Sequence, residues 1–225
     1  PWGQTVQDRW GGSGYRWHLM LAQNGYLVMS IDNRGTPCPR GRAWRKSIYQ
    51  KIGILNSADQ AAAVRVIREW DWVDEERVGI WGWSGGGSAT LNAMFRYPGL
   101  YHTGMSVAPV PDQRLYDTIY QERYMGLLSE DPEPFIQGSP ITFARQLEGN
   151  LLIVHGTGDD NVHYQGTQRL INELVRHGKR FTVMPYPNRS HGIYEGPGTV
   201  MHLRDLLTNY LYTHLPAGPR PVSSR

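Results

Sequence analysis

The chain contains 225 residues, of which 40% are hydrophobic and 11% aromatic, and this is enough to bury one substantial core. The net charge is +3 and Cys38 is the single cysteine, which excludes an internal disulfide and a cysteine-based metal site. No stretch approaches the roughly 20 consecutive apolar residues that a membrane span requires, and the dispersed basic residues do not indicate nucleic-acid binding.

The first part of the chain predicts two helices and one strand. Residues 10–22 predict a helix, and residues 26–31 form a near-continuous apolar run that is typical of a strand covered on both faces. The basic group at residues 40–46 is more typical of a solvated loop than of a nucleic-acid site. Ser57 and Gln60 have the form of a capping box, and a helical stripe follows them.

The rest of the chain alternates strands and helices. Residues 111–147 are irregular and rich in Pro, Gly and Tyr, which favours a functional segment over a simple connection. The alternation predicts an α/β fold, with a mostly parallel sheet and helices on both faces. We expect one domain over residues 1–215 and a flexible tail over residues 216–225. The predicted strands are residues 77–82, 102–107, 150–155 and 181–185, and the predicted helices are residues 88–96, 167–175 and 200–211.

The stretch Trp81-Gly-Trp-Ser-Gly-Gly-Gly87 joins a predicted strand to the helix that follows it. It contains the G-x-S-x-G pattern of a nucleophile elbow, with Ser84 at its centre. Such a turn forces its serine into a strained backbone conformation, and a side chain at Gly82 or Gly86 is expected to collide with it. Ser84 would then project over the end of the sheet, above a helix N-terminus that favours negative charge. The stretch therefore predicts a nucleophilic serine.

A nucleophilic serine needs an imidazole base and a carboxylate that orients the imidazole. In an α/β-hydrolase the acid and then the histidine follow the serine along the chain, each on a loop after a strand. Here Asp159 or Asp160 follows one predicted strand and His191 follows the next. His163, beside the acid loop, is the alternative base. His155 closes a strand and precedes Gly156, which is more typical of a packed or hydrogen-bonded residue.

Several separated segments carry a family resemblance. They are Gly82-Trp-Ser-Gly-Gly86, Ala108-Pro-Val110, Tyr116-Asp117, Tyr120-x-Glu-Arg-Tyr-Met-Gly126, His155-Gly-Thr-Gly-Asp-Asp-Asn-Val162 and His191-Gly-Ile193. With them, the chain resembles the catalytic domain of the prolyl oligopeptidase family, in its dipeptidyl peptidase IV-like branch. The resemblance implies an α/β-hydrolase fold and a serine peptidase that works through an acyl-enzyme, without a metal or cofactor. In the full-length protein it implies release of N-terminal dipeptides after proline or alanine.

The resemblance also implies residue roles. Ser84 would be the nucleophile, Asp159 the orienting acid and His191 the general base. The Gly85 N–H would supply one oxyanion donor, and Asn161 would hold the substrate carbonyl. An apolar pocket suited to proline would be lined by Val110, Tyr116, Tyr120 and Val162.

Two positions depart from the dipeptidyl peptidase IV pattern. Gly85 follows the nucleophile where that enzyme has a tyrosine, and Gln113 stands where it has an aromatic wall residue. Both changes thin the pocket wall and weaken the expectation of strict proline selectivity. The alternatives are a broader aminoacyl-peptide hydrolase or esterase on the same fold, and a catalytically silent interaction domain, although no triad member is missing.

Members of this family carry a β-propeller ahead of the catalytic domain, and its acidic residues anchor the amino terminus of the substrate. The resemblance therefore implies an N-terminally truncated chain. A strand between residues 26–31 and 77–82 would be missing, and with it a tyrosine that supplies the second oxyanion donor. The partners implied are a peptide substrate and the propeller, a homodimer is allowed, and a periplasmic or extracellular location is favoured.

Overall fold

The computed structural model describes residue 6 and residues 13–218. The strands are β1 (Gly79–Trp83), β2 (Thr103–Val107), β3 (Asn150–Gly156) and β4 (Thr182–Tyr186). The α-helices are α1 (Ser13–Gln23), α2 (Gly41–Lys46), α3 (Leu55–Arg68), α4 (Gly85–Arg96), α5 (Thr118–Met125), α6 (Glu133–Gly138), α7 (Tyr164–Arg176) and α8 (Thr199–His214). Short 3₁₀ helices span Gln113–Leu115 and Pro140–Gln146.

The strands form one parallel sheet in the order β1-β2-β3-β4. Trp83 pairs with Val107 at the ends of β1 and β2, and Gly156 pairs with Tyr186 at the ends of β3 and β4. Parallel strands need crossover connections, and α4 and α7 lie in the first and last of these. All four strands therefore end at the same edge of the sheet, where the loops that follow them can meet.

The helices cover both faces of the sheet, as the alternation along β3 shows. Leu152 and Val154 pack with residues of α1 and α8, whereas Leu151 and Ile153 pack with residues of α3, α4 and α7. All of these β3 side chains are fully buried. Burial on both faces explains why β3 is a continuous apolar run in the sequence. The predicted α/β fold with helices on both faces is confirmed.

The strand predicted at residues 26–31 is absent, and this prediction was wrong. Leu27 and Met29 are 47% and 44% exposed. In the described part of the chain β1 pairs only with β2, and a groove of about 1140 Å³ is lined by residues 25–31, β1, α1 and α3. A strand needs a hydrogen-bonded neighbour, and the segment does not pair with β1. The apolar pattern of residues 26–31 predicted burial, but it does not report whether a neighbouring strand is present to pair with them.

The helix α3 begins earlier than the sequence predicts. It starts at Leu55, so Ser57 and Gln60 lie inside the helix and do not form a capping box. The Gln60 side chain instead donates from Nε2 to the Ile31 carbonyl at 2.8 Å. This bond fixes the end of the irregular segment 26–31 to α3, and it replaces the cap as the reason for a polar residue at position 60.

Smaller differences occur elsewhere. The 111–147 segment contains α5, α6 and both 3₁₀ helices rather than being irregular, and α2 occupies the basic stretch that was predicted to be a loop. The predicted helix at residues 10–22 corresponds to α1, with its first residues outside the described part. Residues 219–225 of the predicted tail also lie outside it. Among the described helices, none is long and apolar enough to cross a membrane.

Candidate active site

Ser84 is the single residue between β1, which ends at Trp83, and α4, which begins at Gly85. Its backbone has φ 57° and ψ −119°, a conformation that residues other than glycine rarely adopt. The Ser84 N–H donates to the Val107 carbonyl of β2 at 2.8 Å. Strain of this kind costs on the order of 1–3 kcal/mol and persists only where the surroundings impose it. Here the strand, the helix and the bond to β2 impose it.

The glycines near Ser84 allow the backbone to approach itself closely. A Cβ at Gly82 would lie 2.3 Å from the Gly86 carbonyl carbon, so the turn could not close. A Cβ at Gly87 would lie 2.6 Å from the Val107 carbonyl oxygen, so α4 could not pack on β2. A Cβ at Gly86 would meet no atom within 4 Å, and the predicted collision there was wrong. The crowding at Gly86 involves its backbone, which Gly82 faces.

Asp159 lies in the turn after β3 and is 5% exposed. Its Oδ1 accepts hydrogen bonds from the backbone N–H groups of Asn161 at 2.9 Å and Val162 at 2.8 Å. Its Oδ2 contacts His191 Nδ1 at 2.7 Å and His155 Nε2 at 3.0 Å. Each carboxylate oxygen of Asp159 therefore has two hydrogen-bond partners, and this fixes the orientation of the carboxylate.

These hydrogen bonds also set the charge of Asp159. Burial by itself raises the pKa of a carboxyl group, because it disfavours the ionised form. The hydrogen bonds from His155, His191 and the Val162 N–H outweigh burial and hold the pKa of Asp159 well below its usual range. The carboxylate is consequently ionised at neutral pH, as an acid that stabilises a protonated imidazole must be.

His191 lies on the loop after β4 and is held at two points. Its Nδ1 contacts Asp159 at 2.7 Å, which leaves Nε2 to act as a base. Its carbonyl oxygen accepts a bond from Trp83 Nε1 at 3.0 Å, so the residue before Ser84 ties the histidine loop to the turn. Within the described part of the chain, no hydrogen bond joins Ser84 Oγ to His191. Catalytic bonds of this type often tighten only in the substrate complex.

The other candidate acid and base are placed differently. Asp160 and His163 are exposed, and neither makes a side-chain hydrogen bond to another described residue. The structure therefore brings together Ser84, Asp159 and His191, and it leaves Asp160 and His163 facing solvent.

The predicted pocket residues lie together beside the Asp159 loop. Val110 and Val162 are buried in one apolar cluster with the rings of Tyr116 and Tyr120. The two rings meet edge to face with their centroids 5.5 Å apart. The Tyr116 hydroxyl donates to Asn161 Oδ1 at 3.1 Å. Burial and the nearby negative charges of Asp117 and Asp159 raise the pKa of Tyr116, so its hydroxyl remains a donor.

Gln113 is fully buried and has a specific partner. Its Oε1 accepts a hydrogen bond from Gln121 Nε2 at 2.6 Å, and its backbone N–H donates to Ser139 Oγ at 2.7 Å. The position where the family resemblance implies an aromatic wall is thus occupied by a pair of amide side chains.

The sequence pattern indicated a packed or hydrogen-bonded His155 without its partner in the site, and it indicated no role in the site for Thr167 or Trp83. His155 is four residues before Asp159 across a tight turn, and this spacing was the available signal for their contact. The bond from Trp83 to His191 has no signal in the pattern, because it joins residues more than a hundred positions apart. In the described residues, no group of three or more His, Cys, Asp and Glu side chains is arranged to hold a metal ion.

Comparison with known proteins extends these observations. Residues 13–216 match the model of the prolyl oligopeptidase family. The chain is 34% identical over 231 residues to dipeptidyl peptidase 4 of Arthroderma otae, covering 100% of this chain and 29% of that protein. It is 36% identical over 203 residues to prolyl endopeptidase FAP of Mus musculus, covering 88% of this chain and 25% of that protein. The crystal structure of Porphyromonas gingivalis dipeptidyl peptidase 4 matches with a TM-score of 0.86 and 42% identity, covering 88% of this chain and 28% of that one.

The chain therefore spans less than a third of the length of each of these relatives. The close structural match confirms the α/β-hydrolase fold that the resemblance implied. Both the family model and the Arthroderma otae relative extend over the loops that carry Ser84, Asp159 and His191. The chain belongs to the prolyl oligopeptidase family.

Proposed function

We propose that the complete protein is a serine peptidase that releases N-terminal dipeptides after proline or alanine through an acyl-enzyme. The observation that carries the proposal is the 2.7 Å contact between Asp159 and His191, at the sheet edge where Ser84 occupies a strained turn. The dipeptide length is supported by the relatives named dipeptidyl peptidase 4, which this chain resembles over 88% to 100% of its residues.

In the proposed mechanism, Ser84 Oγ attacks the carbonyl carbon of the substrate and its proton passes to His191. Ionised Asp159 stabilises the resulting imidazolium. The carbonyl oxygen becomes an oxyanion, and the Gly85 N–H at the start of α4 donates to it. His191 then gives the proton to the leaving amine as the C–N bond breaks, which leaves the acyl group on Ser84. A water molecule activated by His191 hydrolyses this ester and restores the serine.

The apolar cluster beside the Asp159 loop suits a small apolar side chain before the scissile bond. Asn161 would bind the carbonyl oxygen of the preceding residue. Gly85 and Gln113 leave more room than a tyrosine and an aromatic wall, so alanine is expected to be accepted beside proline. The pocket residues proposed are Val110, Tyr116, Tyr120 and Val162.

We further infer that the amino terminus of the substrate is recognised outside this chain, by the β-propeller of the family. The chain accounts for 28% of the length of the Porphyromonas gingivalis enzyme. The proposal therefore divides the work: this chain supplies the chemistry and the pocket, and the propeller supplies the acidic groups that select a free amino terminus.

The test is Ser84→Ala in the complete protein. We expect turnover of Ala-Pro and Ala-Ala amide substrates to fall by about a millionfold, and labelling by a fluorophosphonate probe to disappear. Ser129→Ala is the matched control, because Ser129 is exposed and far along the chain from the turn. Turnover that survives Ser84→Ala would overturn the serine mechanism. Cleavage of substrates with a blocked amino terminus at equal rates would overturn the dipeptide specificity.

A further inference from the structure

His155 lies near the end of β3, and its side chain is completely buried. A buried imidazole needs a hydrogen-bond partner for each nitrogen. Its Nδ1 lies 2.7 Å from Thr167 Oγ1, and its Nε2 lies 3.0 Å from Asp159 Oδ2 and 2.9 Å from the Val162 carbonyl oxygen. The carboxylate and the carbonyl can only accept, so Nε2 carries a hydrogen and donates it to them.

The Thr167 hydroxyl completes the hydrogen bonding of the tautomer that these acceptors require. With its hydrogen on Nε2, a neutral imidazole presents Nδ1 as an acceptor. Thr167 is completely buried in the first turns of α7, and its hydroxyl can donate to that acceptor. Two hydrogen bonds thus connect Thr167 of α7 through His155 of β3 to the Asp159 carboxylate, which contacts His191.

We propose that His155 is a positioning residue: with Nε2 donating to its two acceptors and Nδ1 bonded to Thr167, it holds Asp159 in the orientation that meets His191. The inference rests on the proposed peptidase function. Because Asp159 Oδ2 is shared between His155 and His191, His155 also withdraws part of the negative charge that His191 receives. His155 therefore controls both the direction and the strength of the Asp159–His191 bond.

Few other titratable groups face this cluster in the described structure. The Tyr164 ring of α7 meets the His155 ring edge to face, with the centroids 5.5 Å apart. Tyr116 approaches from the segment after β2, and the charge of Asp159 contributes to its raised pKa. The remaining titratable neighbours, Asp160 and His163, are exposed on the loop itself.

Two pairs of variants separate positioning from packing. His155→Gln keeps an amide N–H at nearly the position of Nε2, whereas His155→Asn places its amide near Nδ1 and loses the donor to Asp159. Thr167→Ser keeps the hydroxyl, and Thr167→Val removes it at nearly constant volume. His155→Gln and His155→Asn differ by one methylene, and Thr167→Ser and Thr167→Val differ in volume as well as in the hydroxyl, so the folded fraction of every variant is measured together with the bond under test.

In the complete protein, we expect His155→Asn and Thr167→Val to lower kcat by up to about a hundredfold, the size of effect that misplacement of a catalytic group produces. KM is expected to stay within about twofold, because neither residue belongs to the proposed pocket. His155→Gln and Thr167→Ser are expected to recover most of the lost turnover. Each kcat is expressed per folded molecule, with the folded fraction measured by thermal unfolding.

The pH profile provides a readout that packing alone would not change. Without the donor from residue 155, Asp159 is less firmly oriented, but its charge is no longer shared, so in the molecules where it meets His191 it stabilises the imidazolium more. A higher pH is then needed to free the base, so the acid limb of kcat moves to higher pH in His155→Asn and stays in place in His155→Gln.

The outcomes are distinguishable. If the wild-type protein shows no more turnover than Ser84→Ala, the proposed function fails and the inference falls with it. If Ser84→Ala is inactive while His155→Asn keeps the wild-type kcat and pH profile, only the positioning role fails. Equal kcat in His155→Asn and His155→Gln, or in Thr167→Val and Thr167→Ser, would also overturn it.

Discussion

The strands β1 and β3 both end in a loop of the candidate site, but their surroundings differ. β3 lies between β2 and β4, and all of its residues after Asn150 are buried. β1 pairs only with β2 in the described part of the chain, and none of its residues is fully buried. Asp159 and its contacts therefore follow a strand that is paired on both sides, which we call the closed side of the site. Ser84 follows β1, which is paired on one side only in the described chain, and we call this the open side.

The open side leads directly to the turn that holds Ser84. The groove beside β1 is also lined by Gly85 and Gly86. The contacts that fix the turn come from β2, through the Ser84 bond to Val107 and the close approach of Gly87 to the same carbonyl. A segment that filled the groove would therefore lie next to the proposed oxyanion donor. The two halves of the site therefore depend on different parts of the protein.

The largest expected effect in this comparison is on kcat when Asp159, on the closed side after β3, is replaced. Asp159→Asn in the complete protein is expected to lower kcat by about ten-thousandfold, because an amide cannot hold the imidazole in the required tautomer or stabilise its cation. Asp160→Asn is the matched control, since Asp160 is the adjacent residue and is exposed. Steady-state turnover of an Ala-Pro amide measures both. Equal losses in the two variants, or a larger loss in Asp160→Asn, would contradict the assignment of the acid.

Sequence reasoning succeeded where each element finds its partners within the described chain. The strands β1 to β4 were predicted because their apolar runs and the helices between them are all present in the described chain. Residues 26–31 carry the same apolar signal, but a strand also needs a hydrogen-bonded neighbour, and hydropathy does not report one. Local pattern therefore predicts an element only when its neighbours are also available.

In the candidate site, too, the sequence pattern did not report which residues lie next to one another. Asp159 and Asp160 are adjacent and chemically identical, so no composition or period distinguishes them; the turn after β3 buries one and exposes the other. His155 was predicted to be a packed or hydrogen-bonded residue, and it is both buried and hydrogen-bonded, but its contact with Asp159 depends on the path of that turn. The collision at Gly86 was misassigned because clashes depend on direction as well as spacing.

The second prediction concerns the open side. Residues 1–225 alone are expected to have a kcat about a hundred- to a thousandfold below that of the complete protein, the cost of one missing oxyanion donor. The structural reason is the groove that β1 and Gly85 line, where a further strand would pair with β1. Hydrogen exchange provides the second measurement: amides of β1 should exchange faster than amides of β3 in the chain alone and become protected in the complete protein. Full turnover from the chain alone, with equal protection of both strands, would show that the groove needs no occupant.

The third prediction concerns the pocket after β2, the strand that the two sides share. With Gly85 and Gln113 in place of aromatic residues, the ratio of kcat/KM for proline over alanine substrates should be about tenfold or less. A pocket that closely encloses its substrate gains about 1–3 kcal/mol for each methylene, or roughly 10- to 200-fold. The measurement is competition between Ala-Pro and Ala-Ala amides in the complete protein. A proline preference of about 200-fold or more would mean that the wall is closed despite the amide pair of Gln113 and Gln121.

The smallest expected effect is on stability and returns to the closed side. Hydrogen bonds hold the pKa of Asp159 below its usual range in the folded protein, against the effect of burial. The unfolded chain therefore takes up a proton at higher pH than the folded chain does, and stability must fall as the pH falls. The contribution is complete well above about pH 4, the ordinary range of an aspartate, and is lost progressively as the pH falls from there toward the lower pKa of the folded state. Because each unit of pKa shift is worth about 1.4 kcal/mol, the expected loss is of order 1 kcal/mol or more. Urea unfolding of the wild type, Asp159→Asn and Asp160→Asn at pH 7 and pH 3 measures it. The wild type and Asp160→Asn should lose more stability between these values than Asp159→Asn, and parallel losses in all three would show that Asp159 is not stabilised by its partners.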